Sequence, residues 1–224
     1  KLADATLRSL FFKTLNRQDL LAQRGDAVEA QGIMPACVLW DGEPYYAPGT
    51  QAYTLQDTEA AQGIPSLLRQ LDLEEMPSIT VLCADDPESV AVVNTFLAAW
   101  NSALGNAFNL ERVPPSTFQS RFASGNYEAA LSPLRAGGTS PYDVLKSFES
   151  TAVPTLLESP EYDQALESLT FDLASYQTAE QLLQEQYVFY PIFQDKTYYA
   201  TSPDTRGITV APDQSVSFIG AKKR

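Results

Sequence analysis

Apolar positions recur along this chain with two different periods, and the points where the period changes mark its elements. In "DATLRSLFFKTLNRQDLLAQ", Leu7, Leu10, Phe11 and Leu15 fall at helical spacing. Asn16 followed by Asp19 reads as a fresh cap, so two consecutive helices are expected. From Gly25 to Tyr53 the period lapses into a Gly- and Pro-rich excursion with scattered aromatics, a surface segment of the kind that carries function. A short helix is expected within "DTEAAQGIPSLLRQL". Next, "SITVLCA" is the continuous apolar run of a buried strand, and "DDPES" caps a helix with Pro87 at its first position. Val90, Val93, Leu97, Trp100 and Leu104 share one face of that helix, and Gly105 stops it. A second strand, "AFNLERV", leads to a short helix, "STFQSRFAS", which ends at Gly125 before a third strand, "YEAALSPL". This β-α-β-α-β order predicts a mixed, mainly parallel sheet flanked by helices, with right-handed crossovers. Further helices are expected from Ser140, Ser159 and about Thr178. The strand-like runs "YVFYPIF" and "TYYATS" follow, then a hairpin, "GITVAPDQSVSFIG", turning at Pro212 to Gln214. The whole, residues 1–224, reads as one α/β domain.

The third strand runs into "LRAGGTSPYDVLKSF", where two glycines precede a capped helix. Gly137 and Gly138 let backbone approach a ligand or take positive φ. Ser140 suits the cap, Pro141 the first helical position, and Asp143 adds favourable charge to the first turn. By themselves these residues describe an ordinary well-capped connection. Its place beyond the carboxyl end of a strand, where open α/β sheets bind ligands, makes it the candidate site. Arg135 is the cation in this segment that suits a carboxylate or carbonyl.

Composition narrows the chemistry. A net charge of −13 and a pI near 4.3 disfavour nucleic acid and anionic lipid. No apolar run approaches the roughly 20 residues of a membrane span. The chain opens on "KLADATLRSL", without Met or an apolar signal segment, and so reads as a processed product or an excised piece. Histidine is absent, which removes Ser-His-Asp triads, Cys-His dyads and HExxH zinc sites. Cys37 and Cys83 match no CxxC pattern and are read either as a pair or as two isolated thiols. The acidic pairs Glu74-Glu75 and Asp85-Asp86 are explained by a polar turn and a helix cap. Tyr45-Tyr46 and the aromatics of "YVFYPIFQDKTYY" suit either a core or an apolar groove. No catalytic centre, metal or cofactor is expected.

The order of segments resembles the second lobe of the peptide-type solute-binding proteins of ABC importers, the oligopeptide, dipeptide and nickel binders. "DATLRSLFFKTLNR" is similar to that family's D-x-x-V-R-x-A-L-x-x-A-I-D-R helix. "GIMPACV" resembles its Pro-rich excursion, and "GNYEAALSPLRAGGTSPYDVL" its G-x-Y-D-x-x-L-x-x-W-x-A-D-x-x-D-P-x-x-x-L segment. "SPEYD", "AEQLLQE" and "YVFYPIF" resemble later family segments. The resemblance implies a single lobe of a type II periplasmic-binding-protein-like fold, with a first lobe encoded upstream and the strands at about 205–221 near the hinge. It implies a monomeric, extracytoplasmic or lipid-anchored binder of a peptide or other small solute, delivering to an ABC permease. The ligand-facing residues would be Leu134, Arg135, Gly137, Gly138, Thr139, Ser140 and Tyr142. Aligning Tyr127 and Pro141 with the family's Tyr and Pro puts Leu134 in place of its tryptophan and Gly137 in place of the aspartate that anchors a peptide amine. Ser140 then replaces the second acid. A ligand-sensing domain of a cytoplasmic transcription regulator is the alternative, separable by upstream sequence, and a glycosidase-type enzyme is a weaker one.

Overall fold

The computed structural model describes residues 2–105, 107–134, 139–196, 198–211 and 215–223. Helix α1 (Ala5–Lys13) is capped by Asp4, whose carboxylate accepts from the Leu7 amide at 2.8 Å, and it buries Leu7, Leu10 and Phe11. Helix α2 (Arg17–Leu21) starts where Asn16 accepts from the Gln18 amide at 3.0 Å. The two consecutive helices are therefore present with the expected cap. The excursion that follows holds only short strands: β1 (Val28–Glu29), β2 (Leu39–Trp40) and β3 (Glu43–Pro44). β2 and β3 pair antiparallel across Asp41-Gly42, whose φ values of 51° and 83° give the two-residue turn that matches strand twist. A 3₁₀ turn (Ala60–Gly63) leads into α3 (Ile64–Gln70).

The sheet comes next: β4 (Ile79–Ala84), α4 (Pro87–Leu104), β5 (Phe108–Val113), α5 (Pro115–Ala123) and β6 (Ala129–Ala130). The order is β5-β4-β6 and every pairing is parallel, from Ile79↔Phe108 to Ala84↔Val113 on one side and Val81↔Ala129 on the other. Asp86 caps α4 by accepting from the Ser89 amide at 2.8 Å, and Gly105, at φ 96°, ends it. The buried face of α4 adds Val92 and Phe96 to the expected Val93, Leu97, Trp100 and Leu104, and leaves Val90 at its margin. The third strand is much shorter than "YEAALSPL" suggests. The ladder continues only to the Leu131 amide, which donates to Leu82 O at 3.1 Å, because β6 is an edge strand and Pro133 has no N–H to extend it.

Helices α6 (Pro141–Lys146), α7 (Pro160–Glu167) and α8 (Leu173–Glu185) follow. Ser140 and Ser159 cap the first two as expected. α8 starts earlier than the expected position near Thr178, because Asp172 accepts from the Ser175 amide at 2.9 Å and fixes the cap there. Of "YVFYPIF" only its last residue enters a strand, β7 (Phe193–Gln194), which pairs antiparallel with β1. The described part of "TYYATS" forms none. β8 (Thr205–Arg206) pairs with β11 (Lys222–Lys223), and β9 (Thr209–Val210) with β10 (Val216–Ser217), antiparallel in both cases. The second of these ribbons is the expected hairpin; its turn, 212–214, lies outside the described residues.

Buried side chains form two clusters. The first packs α1 and α4 against one face of the sheet through Leu7, Phe11, Ile79, Val81, Val93, Trp100 and Phe108. The second joins the excursion to the last three helices through Met34, Val38, Tyr46, Leu145, Phe148, Tyr162 and Leu183. Buried Arg17 ties the excursion to the tail. Its guanidinium donates to Ala30 O at 2.8 Å, to Ile192 O at 2.7 Å and to Pro191 O, pairs with Glu29 at 3.0 Å and lies 3.6 Å from the Tyr53 ring centroid.

Candidate functional site

The strand exit singled out by sequence carries the chain from the first cluster to the second. Leu134 packs, half-buried, against the second cluster. Arg135, Gly137 and Gly138 lie outside the described residues. Thr139 O accepts from the Leu39 amide at 3.4 Å, which tethers the segment to the β2-β3 hairpin. Ser140 Oγ accepts from the Tyr142 amide at 3.2 Å, so its hydroxyl is engaged in capping α6. Tyr142 is exposed, with Lys146 Nζ 5.6 Å from its ring centroid. The described members of the expected site therefore lie along the chain between the end of the parallel ladder and the first turn of α6.

The tether exposes a feature that the sequence reading missed. Trp40 follows Leu39 on the hairpin, and its ring lies 5.1 Å from that of Phe171 and 5.0 Å from that of Tyr176. Phe171 is 92% exposed, so its ring is open to solvent, while Trp40 and Tyr176 are half-buried against the second cluster. Part of the signal was available: an Asp-Gly dipeptide between short extended runs is a strong hairpin mark and would have placed Trp40 at a turn edge. Nothing local foretells that Phe171, next to the Asp172 cap, meets Trp40.

A second missed feature is a buried carboxylate. Glu180, 3% exposed, accepts hydrogen bonds from the Tyr46 hydroxyl and from Gln184 Nε2 at 3.2 Å. Burial, the largest influence, holds its carboxyl above the usual glutamate range against the opposing hydrogen bonds of Tyr46 and Gln184. Tyr46 in turn is raised by burial and then by the Glu180 charge. A cleft of about 450 Å³ borders this group, lined by Tyr46, Tyr53, Thr54, Gln177, Glu180 and Gln184. Another, of about 390 Å³, lies over the sheet between Thr80, Glu111, Arg121 and Glu128. Neither is lined by the described residues of that segment, Leu134 and 139–142.

The remaining candidates resolve into structural roles. Asp86 caps α4, Asp85 lies 3.9 Å from Arg112, and Glu74 and Glu75 are exposed in a turn. Tyr45 and Tyr46 are core residues, and among "YVFYPIFQDKTYY" only Tyr198 and Tyr199 stand exposed as large aromatics. Cys37 and Cys83 are separate thiols, one at the margin of the second cluster and one buried in the first. Burial, then Asp86 and Asp85, push the Cys83 thiol up to about 11. Among the described residues no group of His, Cys, Asp and Glu is arranged to hold a metal ion.

No protein-family model and no curated protein matches this sequence. Solved structures do share the fold. A peptide-binding protein of a peptide ABC transporter superposes with a TM-score of 0.77 at 20% identity, over 87% of this chain and 92% of its own. OppA of Listeria monocytogenes, bound to peptide, gives 0.79 at 16% identity, over 99% of this chain and 45% of its own. A dipeptide-binding protein of a Pseudoalteromonas species, in complex with Met-Leu, gives 0.74 at 18% identity, with coverage of 99% and 45%. The chain thus spans a little under half the length of the last two. The periplasmic-binding-protein-like α/β fold expected from sequence is the fold found.

Proposed function

We propose that this chain is the ligand-closing lobe of a solute-binding protein that serves an ABC importer, capturing a peptide or related small solute between two lobes. The observation that carries this reading is the match of 99% of the chain, in fold, to less than half of a peptide-bound protein. The upstream lobe is the other half of the cleft, an ABC permease receives the solute, and residues 205–221 lie near the hinge. The protein works as an extracytoplasmic or lipid-anchored monomer and does no chemistry on its ligand. Among the described residues no helix is long and apolar enough to cross a membrane.

Within this reading Leu134, Arg135, Gly137, Gly138, Thr139, Ser140 and Tyr142 face the solute. Gly137 has no carboxylate to meet an amine, and the Ser140 hydroxyl already accepts from the Tyr142 amide. The ligand therefore needs no free amino terminus at this end of the cleft. Mass spectrometry of small molecules released from the denatured full-length protein tests the reading: a peptide or small solute in near-stoichiometric amount is expected. Absence of any solute, together with no binding of added peptide pools, overturns it. The intact protein is expected to bind a peptide and its N-acetylated form within a few-fold of each other.

A further inference from the structure

We infer that the open aromatic surface of Trp40, Phe171 and Tyr176 is a subsite for a cationic side chain, the lysine or arginine of a bound peptide. The inference rests on the peptide-binding reading and names the side-chain class that this part of the site selects. The ring arrangement and two physical arguments converge on it. The rings stand together, Trp40 within 5.1 Å of Phe171 and 5.0 Å of Tyr176, and Phe171 presents its ring to solvent. An aromatic face carries the negative part of the ring quadrupole, and tryptophan is the strongest of the three in holding a cation. The long stems of lysine and arginine also cover apolar ring surface while their heads stay polar.

Charge then decides which occupant fits. Asp41 adjoins Trp40, Glu43 is its cross-strand partner on the hairpin, and Asp172 adjoins Phe171. All three are exposed. Asp172 is oriented by the Thr170 hydroxyl and the Ser175 amide, which hold its carboxyl below the usual range. Asp41 and Glu43 have no ion-pair partner among the described residues. Exposed carboxylates next to Trp40 and Phe171 in the chain and opposite Trp40 on the hairpin give this part of the surface a negative charge that suits a cation with an apolar stem and disfavours an acidic group. The net charge of −13 adds long-range attraction of the same sign. Position links this surface to the strand-exit segment, because the hairpin that carries Trp40 is bonded to Thr139 O through Leu39.

The test presents the intact protein with a pool of pentapeptides blocked at both ends and randomised at every position, so that side chains supply the only cations. The retained fraction is read by mass spectrometry. Peptides containing lysine or arginine should be enriched over norleucine- and glutamate-containing ones by about twofold to thirtyfold, the span of a cation-π contact. Phe171→Ala and Trp40→Ala should each lower that enrichment toward unity. Phe171 is exposed enough that its truncation leaves folding intact. Retention without basic enrichment, or enrichment unchanged in both variants, overturns the inference and leaves the peptide-binding reading standing. Retention of no peptide at all removes that reading, and the inference with it. A marked loss of thermal stability in Phe171→Ala shows that another part of the full-length protein covers the ring, and also overturns it.

Discussion

The two buried clusters reach the same end by different means. In the first, Phe11, Phe96, Trp100 and Phe108 form a ring-on-ring core, with centroid separations from 4.9 Å for Phe96–Trp100 to 5.4 Å for Phe11–Trp100. Its backbone is satisfied by helix and ladder bonds, and one buried side-chain bond, Trp100 Nε1 to Phe11 O at 2.8 Å, ties α4 to α1. The second cluster has only two-residue ribbons, β2-β3 and β1-β7, to pair the excursion it buries, so side chains take much of that role. The Tyr46 hydroxyl accepts from the Met34 amide at 3.2 Å and donates to Glu180, Gln184 reaches Ala52 O at 3.1 Å, and Tyr162 donates to Leu145 O at 2.7 Å. A buried irregular backbone needs such partners, since unpaired polar groups out of water are costly. Apolar packing holds the first cluster, while the second depends as well on polar groups that must all be in place.

The largest effect should come from emptying the first cluster. Trp100→Ala removes a side chain that touches three other buried rings and leaves the Phe11 carbonyl with only the Thr14 hydroxyl as donor, for an expected loss of about 3–5 kcal/mol in urea unfolding. A loss below about 1 kcal/mol would mean that the α1–α4 contact relaxes freely, contrary to the close packing described. In the second cluster Glu180→Ala should cost about 1–3 kcal/mol, because the buried Tyr46 hydroxyl loses its acceptor and Gln184 keeps only Ala52 O.

Acid sensitivity separates the clusters further. The folded carboxyl of Glu180 is held above its unfolded range by burial, so the folded state binds its proton more tightly. That contribution to stability is fully present below the ordinary glutamate range and is lost as pH rises through the raised folded value. Tyr45, Tyr46, Tyr162 and Gln184 are the polar groups that surround it, and none of the tyrosines titrates in this window. Relative to Glu180→Gln, which cannot titrate, the wild-type protein should therefore lose stability from mildly acidic pH toward neutrality. Parallel stability profiles for the two proteins would place the Glu180 carboxyl in contact with water.

How much of this was legible in the sequence follows the same division. The first cluster's sheet lies in one continuous stretch, Ile79 to Ala130 holding all three parallel strands and both crossover helices, with α1 joining it from 89 positions away. Period, caps and glycine stops therefore located them. The excursion gave no period, and its partners are distant: Tyr46 meets Glu180 across 134 positions and Arg17 meets Ile192 across 175. Local patterns cannot encode such pairings. The α8 boundary was misplaced for a smaller reason, since an Asp172 cap competes with several polar residues nearby and only the fold selects it. At the candidate site, Ser140 and the strand exit were readable because capping is local. The aromatic surface was not, because Trp40 and Phe171 come from opposite ends of the chain.

The smallest expected effects test whether the clusters behave as one unit. Asp86→Ala and Ser140→Ala each remove a side-chain cap, one on the first cluster's long helix and one at the entrance to the second cluster's helices. Each should cost about 1 kcal/mol, a shift of about 0.3–1 M in the urea midpoint. The chain has two tryptophans, Trp100 inside the first cluster and Trp40 packed against the second, so Trp40→Phe and Trp100→Phe backgrounds give one fluorescent reporter per cluster. Several bonds couple the clusters. Arg8 on α1 donates to Gln186 O at the end of α8 at 2.9 and 2.6 Å, and Leu134 continues directly from the sheet's edge strand into the second cluster. Both reporters should consequently give one midpoint, and either cap substitution should move both by the same amount, as a single cooperative transition requires. If Asp86→Ala moves only the Trp100 signal and Ser140→Ala only the Trp40 signal, the polar second cluster unfolds on its own, and the lobe consists of two units joined at the strand exit.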